Sequence, residues 1–236
     1  RENAIMPALY SITNDKGQIV MMVATHVDDI LWVDTPETEW IMEKLAADFQ
    51  CGEPESRDFR YCGKEIRQDN DYNITISCKA STLKLKPITI APGRKAGMPL
   101  NEKELEDVRS AAGPLSWIVR QCRPEFSYSV SYFQTLRSKG KVSDLKLINK
   151  TIDLAKRTSD NSITFRSGVI DWDKPLTLVT VTDASFANEH EYVKDQKGKI
   201  HCESHRSQGG ILHLLADPEI ETGTICKFHL IGFSSN

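Results

Sequence analysis

The spacing of hydrophobic positions changes character twice along this chain. From Ile19 to Val33 the sequence reads IVMMVATHVDDILWV, apolar almost throughout, with Asp28 and Asp29 its only acidic residues. Two strand-like runs parted by two residues predict a hairpin with both aspartates at its tip. Tight hairpins prefer Asn-Gly or Asp-Gly, where positive φ is cheap, so Asp-Asp breaks a local rule. Function is suspected where a single local rule is broken. The following DTPETEWIMEKLAADF predicts a helix, with Thr35 as cap, Pro36 in its first turn, and Ile41, Leu45 and Phe49 on one face. Residues 59–78 predict two strands around the polar turn DND.

The segment LKPITIAPGRKAGMPL, with three prolines and two glycines, reads as a linker. Helical spacing then runs from Asn101 to Arg157, opened by Asn101 and Glu104 at capping-box spacing. Breaks near RPEF and SKGKVSD divide it into three helices. Strand patterns return in ITFRSG, LTLVTVTDASF, QGGILHLLA and ICKFHLIGF. Strands, then helices, then strands predict an α+β fold with segregated regions at 1–85, 101–160 and 161–236, joined by a linker at 86–100.

Composition narrows the class. The chain has 236 residues, 39% hydrophobic and 27% charged, as expected of a globular protein with a substantial core. No apolar run reaches the ~18–20 residues of a membrane helix, and no signal peptide is visible, so we expect an intracellular protein without a membrane partner. The amino end lacks Met and the carboxyl end stops just after a strand-like run, as in a piece of a longer chain. The six cysteines are scattered without a C-x-x-C pair and read as reduced, mostly buried thiols. His201, Cys202 and His205 resemble half a zinc site, but no second pair follows at a usual spacing. DNDYNI starts like a calcium loop, yet Ile74 and Ala80 occupy its glycine and closing glutamate positions.

The net charge of −3 gives no global basic signal. Locally, residues 79–95 hold Lys79, Lys84, Lys86, Arg94 and Lys95 with no acid, and residues 137–157 hold seven basic residues against Asp144 and Asp153. Lys146 and Lys150 lie one helical turn apart. Such stripes suit phosphate, or simply a solvated face. Trp117, Phe126, Tyr128 and Phe133 recur at helical spacing and are expected to pack in the core rather than stack on bases.

Adjacent carboxylates on a rigid tip have a clear chemical use. They are hard oxygen ligands, and Mg²⁺ is held by a few carboxylates together with substrate phosphates. Paired ions ~3.5–4 Å apart activate the attacking hydroxyl and stabilise the leaving oxygen of phosphoryl transfer. An acidic solvated turn is the plainer alternative.

Five segments, taken in order, carry a resemblance. LYSITNDKGQIVMMVATHVDDILWV resembles the catalytic hairpin of copia-type retrotransposon reverse transcriptases, which carries Y-V-D-D between apolar strands. FRYCGKEI is similar to the family's F/Y-L-G-x-x-I primer-grip strand. VRSAAGPLSWIVRQCRPEFSYSVSYF resembles its thumb helices, R-x-x-x-G-x-L-x-W/Y-x-x-x-x-x-R-P-D-I-x-Y-A-V. LVTVTDASFAN resembles the Y-S-D-A-D-W-A strand that opens the linked ribonuclease H, and HRSQGGILHLL stands where R-S-T-S-G-Y-x-x-x-L follows.

The resemblance implies part of a Pol polyprotein: the end of a polymerase palm at 1–85, a helical thumb at 101–160, and the first strands of a ribonuclease H domain at 161–236. It implies Asp28 and Asp29 as polymerase metal ligands and Asp183 as the first ribonuclease H ligand, with Mg²⁺ or Mn²⁺ as cofactor. Tyr61 and Gly63 would touch the primer, and Lys146, Lys150, Lys156 and Arg157 the phosphates of an RNA–DNA hybrid. The implied partners are RNA template, DNA primer, deoxynucleoside triphosphates and the rest of the polyprotein, in a cytoplasmic particle or the nucleus. His26 stands where the family carries Tyr, and Cys62 where it carries Leu. The third polymerase carboxylate is expected upstream and the other ribonuclease H carboxylates downstream. A decayed nucleic-acid-binding remnant and a structural module are the other readings of the same residues.

Overall fold

A computed structural model describes residues 4, 6–136, 140–194 and 199–235, with the side chains of 185–194 and 200–208 left aside. The fold is α+β, built of small antiparallel sheets and helices. It divides into two compact units, residues 1–66 and 67–236. Among the described residues no helix is long and apolar enough to cross a membrane.

In the first unit, β1 (Leu9–Thr13), β2 (Ile19–His26) and β3 (Asp29–Asp34) form an antiparallel meander with β2 in the centre. The β1–β2 turn is set by Asn14, whose side-chain oxygen accepts the backbone N–H groups of Lys16 and Gln18. Helix α1 (Glu39–Phe49) follows. It begins later than its sequence pattern suggests, and the residue at its N-cap is Thr38 rather than Thr35. The buried Thr38 hydroxyl accepts the Thr35 N–H and lies 3.2 Å from the Val20 carbonyl, tying the helix entry to β2.

The expected pair of strands over 59–78 is three: β4 (Asp58–Tyr61), β5 (Lys64–Gln68) and β6 (Ile74–Ser77). Cys62 and Gly63 make the extra turn with φ of +48° and +78°, the signature of a type I′ hairpin. The boundary between the units falls within β5. Around DND, Asp69 accepts from the N–H groups of Asp71 and Asn73 and from the Asn73 amide. That makes it the organiser of a turn.

The second unit is built on α3 (Glu102–Cys122), α4 (Ser127–Thr135) and α5 (Val142–Arg157), with a 3₁₀ turn at Pro124–Phe126 before α4. The capping box forms as expected: Asn101 Oδ1 accepts the Glu104 N–H and a Glu104 carboxylate oxygen accepts the Asn101 N–H, each at 2.9 Å. Val108, Leu115, Ile118, Leu145, Ile148 and Ile152 interlock with Phe126 and Phe133 in one buried cluster. Trp117 packs against its rim, whereas Tyr128 is exposed, so the aromatic set is not uniformly core.

The proline-rich stretch before α3 is not a free linker. After the short helix α2 (Lys79–Leu83), Leu85 and Ile88 insert into the same cluster, and Asn149 of α5 hydrogen-bonds both the N–H and the carbonyl of Ile88. Strand β7 (Ile163–Phe165) pairs with β6 rather than opening a separate sheet. The remaining strands, β8 (Thr177–Lys194), β9 (Ile200–Ala216) and β10 (Phe228–Ser235), form an antiparallel sheet in the order β10-β9-β8. Helices and later strands thus share one unit, and no compact-unit boundary falls at 86–100 or 160.

Candidate functional site

The acidic hairpin forms, with one shift of register. Strands β2 and β3 pair from Met21↔Asp34 to His26↔Asp29, so the tip is Val27–Asp28 and Asp29 is the first residue of β3. Val27 takes the positive φ of +56° that glycine would adopt at no steric cost, and it is 88% exposed. For a β-branched residue this is a genuine outlier. His26, Asp28 and Asp29 are all exposed. The strands behind them are anchored by the buried Val20 and Met21. The tip therefore presents two carboxylates to solvent from a paired, anchored ladder.

Tyr61, at the end of β4, lies within electrostatic reach of this tip. Burial raises its phenol above the ordinary value of 10.0, the neighbouring Cys62 adds to the rise, and the charge of Asp29 pushes the same way. Gly63 serves the turn beside it. Asp29 and Tyr61 thus feel each other's charge within the first unit. Among the described residues no three His, Cys, Asp or Glu side chains gather into a metal-binding group. The two tip carboxylates suit a Mg²⁺ ion completed by water and phosphate oxygens, the ion's usual manner of binding.

Asp183 belongs to the second unit. It is exposed, on β8, paired with Gly210 of β9. Since β9 is the central strand, Asp183 stands on an edge strand and not in mid-sheet. Gly210 opposite it leaves the surface open, as a Cβ there would meet nothing within 4 Å. The side chains of His201, Cys202 and His205 lie outside the described residues.

The basic residues of α5 separate into two kinds. Lys146 and Lys150 are exposed, one turn apart, as expected. Arg157 continues the same stripe but is bound to Asp153 at 3.0 Å, which offsets its charge. Lys156 is half-buried and projects off the stripe. The i,i+4 spacing of Asp153 and Arg157 was the available signal, since residues four apart on a helix share a face.

The upstream basic stretch divides likewise. Lys79 pairs with Asp160 at 2.5 Å, and Arg94 grips Glu104 through two bonds of 2.6 and 2.8 Å. Lys84 and Lys86 instead line a cavity of about 600 Å³ with Lys103, Ser110 and Pro114. Pro114 lies inside α3 and has no N–H to offer the Ser110 carbonyl, so that carbonyl lacks its helical partner beside the cavity. Proline at helical spacing after a serine was the available signal.

Among the described residues Cys51, Cys62, Cys78, Cys122 and Cys226 form no disulfide, and of these Cys78 and Cys122 are buried, fewer than the sequence suggested.

What fold and tip define is a class: an α+β protein that displays an acidic β-hairpin and, separately, a helix with exposed lysines. Compared with family models, curated proteins and solved structures, the chain matches none.

Proposed function

We propose that this chain is part of a reverse transcriptase with linked ribonuclease H, of the copia-type retrotransposon kind, acting in RNA-directed DNA synthesis. The observation that carries the reading is the hairpin tip, where Asp28 and Asp29 are exposed at the end of an anchored ladder. A divalent ion held by these carboxylates would supply charge stabilisation for transfer of a nucleotide to a primer 3′-hydroxyl. The chain's own part is positional. Paired strands hold the carboxylates in place, and the Cys62–Gly63 turn fixes the end of β4 that carries Tyr61. Lys146 and Lys150 would meet hybrid phosphates, which proteins read by backbone and shape. Asp183, exposed opposite Gly210, would be one ligand of the ribonuclease H site.

The test is primer extension on an RNA template by the chain extended at its amino end to include an upstream acidic strand, with Mg²⁺ or Mn²⁺. Asp28→Asn is expected to lower the rate by several orders of magnitude, because a misplaced phosphate forfeits proximity and charge stabilisation. Asp29→Asn is expected to be milder, as its side chain leaves from the ladder rather than from the turn. Hybrid binding by the chain itself should weaken with salt by ~0.9 log unit per log unit for each phosphate contact, and charge reversal at Lys146 and Lys150 should flatten that slope. Undiminished extension by folded Asp28→Asn would end the polymerase reading.

A further inference from the structure

Cys78 and Cys122 do not figure in the proposed polymerase chemistry. Cys78 follows β6 at the start of α2, and Cys122 is the last residue of α3. They are 1% and 2% exposed, in the same buried cluster, and their side chains are hydrogen-bonded to each other. Chance contacts between thiols are common in cores. Here, three further features act together.

The Cys122 sulfur also accepts the backbone N–H of Cys78, and Arg123 lies next to it in sequence. These donors and the Arg123 charge lower the Cys122 thiol below its ordinary value of 9.0, with the Cys78 side-chain bond as the largest cause, although burial and Glu125 oppose them. A stabilised thiolate is the nucleophilic form of cysteine. Cys122 also lines an open cavity of about 590 Å³ whose wall includes Glu125, Asp160, Asn161 and Ser162. Cys122 is 2% exposed and borders this cavity from within the core, so the cavity brings a small polar oxidant up to the residue without leaving the thiol open on the surface. Finally, Cys78 stands behind Cys122 where a resolving thiol is required.

We infer that Cys122 and Cys78 form a peroxide-reactive dithiol site, in which Cys122 is the attacking sulfur and Cys78 closes a disulfide between α3 and the β6–α2 junction. The Cys122 thiolate attacks one oxygen of hydrogen peroxide. The O–O bond breaks, Cys122 becomes a sulfenic acid, and the departing hydroxide takes a proton to become water. The Cys78 sulfur then attacks Cys122, loses its proton, and displaces the sulfenic oxygen as a second water. Two thiols are oxidised by two electrons and one peroxide is reduced to two waters. The hydrogen-bonded sulfurs must close to the ~2.05 Å of a disulfide, a short approach at the end of a helix.

The experiment treats the folded full chain with hydrogen peroxide, caps free thiols with an alkylating agent, and maps crosslinks by mass spectrometry without reduction. A Cys78–Cys122 crosslink is expected, with a rise in Tm of roughly 5–10 °C that dithiothreitol reverses. Crosslinking should follow pH with a midpoint below that of a free-cysteine peptide, since Cys122 is the thiolate consumed. In Cys78→Ala the crosslink should vanish and dimedone should trap sulfenic acid at Cys122. In Cys122→Ala, Cys78 should remain a thiol. Two results overturn the proposal: oxidation of the exposed Cys51 with Cys78 and Cys122 both recovered as free thiols, or equally fast oxidation of Cys78 in Cys122→Ala. The crosslinking measurement needs no variant to fold.

Discussion

The hairpin unit and the helical unit solve opposite problems. In residues 1–66 the buried hydrophobic side chains among the described residues are Val20, Met21 and Met42, while Val27, Val33, Trp40 and Phe49 stand exposed. In residues 67–236 a cluster of sixteen buried side chains is closed by helix caps and by polar groups that find partners. Even its buried cation is satisfied: Arg123, 1% exposed, reaches Glu125 and Thr158 at 2.7 Å and covers the Phe126 ring at 4.9 Å. The helical unit is organised for stability. The hairpin unit commits little of its apolar surface to a core and holds Asp28 and Asp29 in solvent. That is the division expected where one region supports and another presents a site.

The sharpest way to break this comparison is to damage the thick core and see which unit answers. Leu145 is fully buried within the helical cluster. Leu145→Ala is expected to cost about 2–5 kcal/mol, depending on how far the cavity collapses. Peptide-level hydrogen exchange should show α3, α4 and α5 losing protection while β2 and β3 keep theirs. Equal loss in both would make the chain a single cooperative unit and remove the contrast.

Arg123 provides the second test. Arg123→Leu deletes a desolvated guanidinium together with its bonds to Glu125, Thr158 and the Ala155 carbonyl. Breaking a buried pair typically costs ~3–5 kcal/mol. Glu125 is partly exposed and can regain water, and Thr158 still donates to the Leu154 carbonyl. We therefore expect about 2–3 kcal/mol, read from the denaturant midpoint. A neutral result would mean the buried cation contributes specificity alone.

Arg123 also marks where the sequence stops being informative. RPEF reads correctly as a break between helices, but the partners that bury the arginine lie 32 and 35 positions further on. No local pattern holds that information. Leu85 and Ile88 vanish into a proline-rich stretch for the same reason: their neighbours come from α3 and α5, so the segment looks like a linker and packs like a strap. Features set within four residues were legible. The Asn101–Glu104 box, the helix breaks and the antiparallel strands all appeared in the structure. At the tip, the hairpin was legible but its register was not, because Val-Asp and Asp-Asp differ by one residue and β-branched valine argues against the turn that forms. The Cys62–Gly63 turn had its glycine as a signal, hidden inside what read as a single strand.

Acid should act mainly on the second unit, with a smaller effect. Arg94, through its side-chain bonds, holds the Glu104 carboxyl below its ordinary 4.5, against the opposing effect of burial. A carboxylate with a depressed folded value stabilises above its unfolded value, and the contribution is lost as pH falls through the lower folded one. Burial likewise lowers His229 from 6.5, so acidification must charge an imidazole the fold prefers neutral. Both signs agree: the second unit should lose stability from about pH 6.5 downward through His229, then below 4.5 through Glu104. Glu104→Gln should flatten the lower limb of a melting-temperature profile against pH. An unchanged lower limb would assign acid sensitivity to other carboxylates.

The smallest expected effect has the opposite sign and belongs to the hairpin. Val27 has φ of +56° with its side chain almost wholly in solvent, so it gains little from contact and suffers the strain of a left-handed backbone. Such strain costs about 1–3 kcal/mol for a residue with a Cβ. Glycine removes it but adds unfolded-state entropy of about 0.4–1 kcal/mol. Val27→Gly should therefore stabilise the first unit by about 1 kcal/mol, while Val27→Ala, which keeps a Cβ, should not. Exchange protection of the β2 and β3 amides measures this directly, with α5 as the unaffected internal reference. If glycine gave no more protection than valine, the positive φ would cost nothing, and the tip would be an ordinary turn. If glycine stabilises the ladder yet primer extension by the amino-extended chain falls, the strain is functional: the valine keeps Asp28 in one orientation, and the more stable hairpin holds it less firmly.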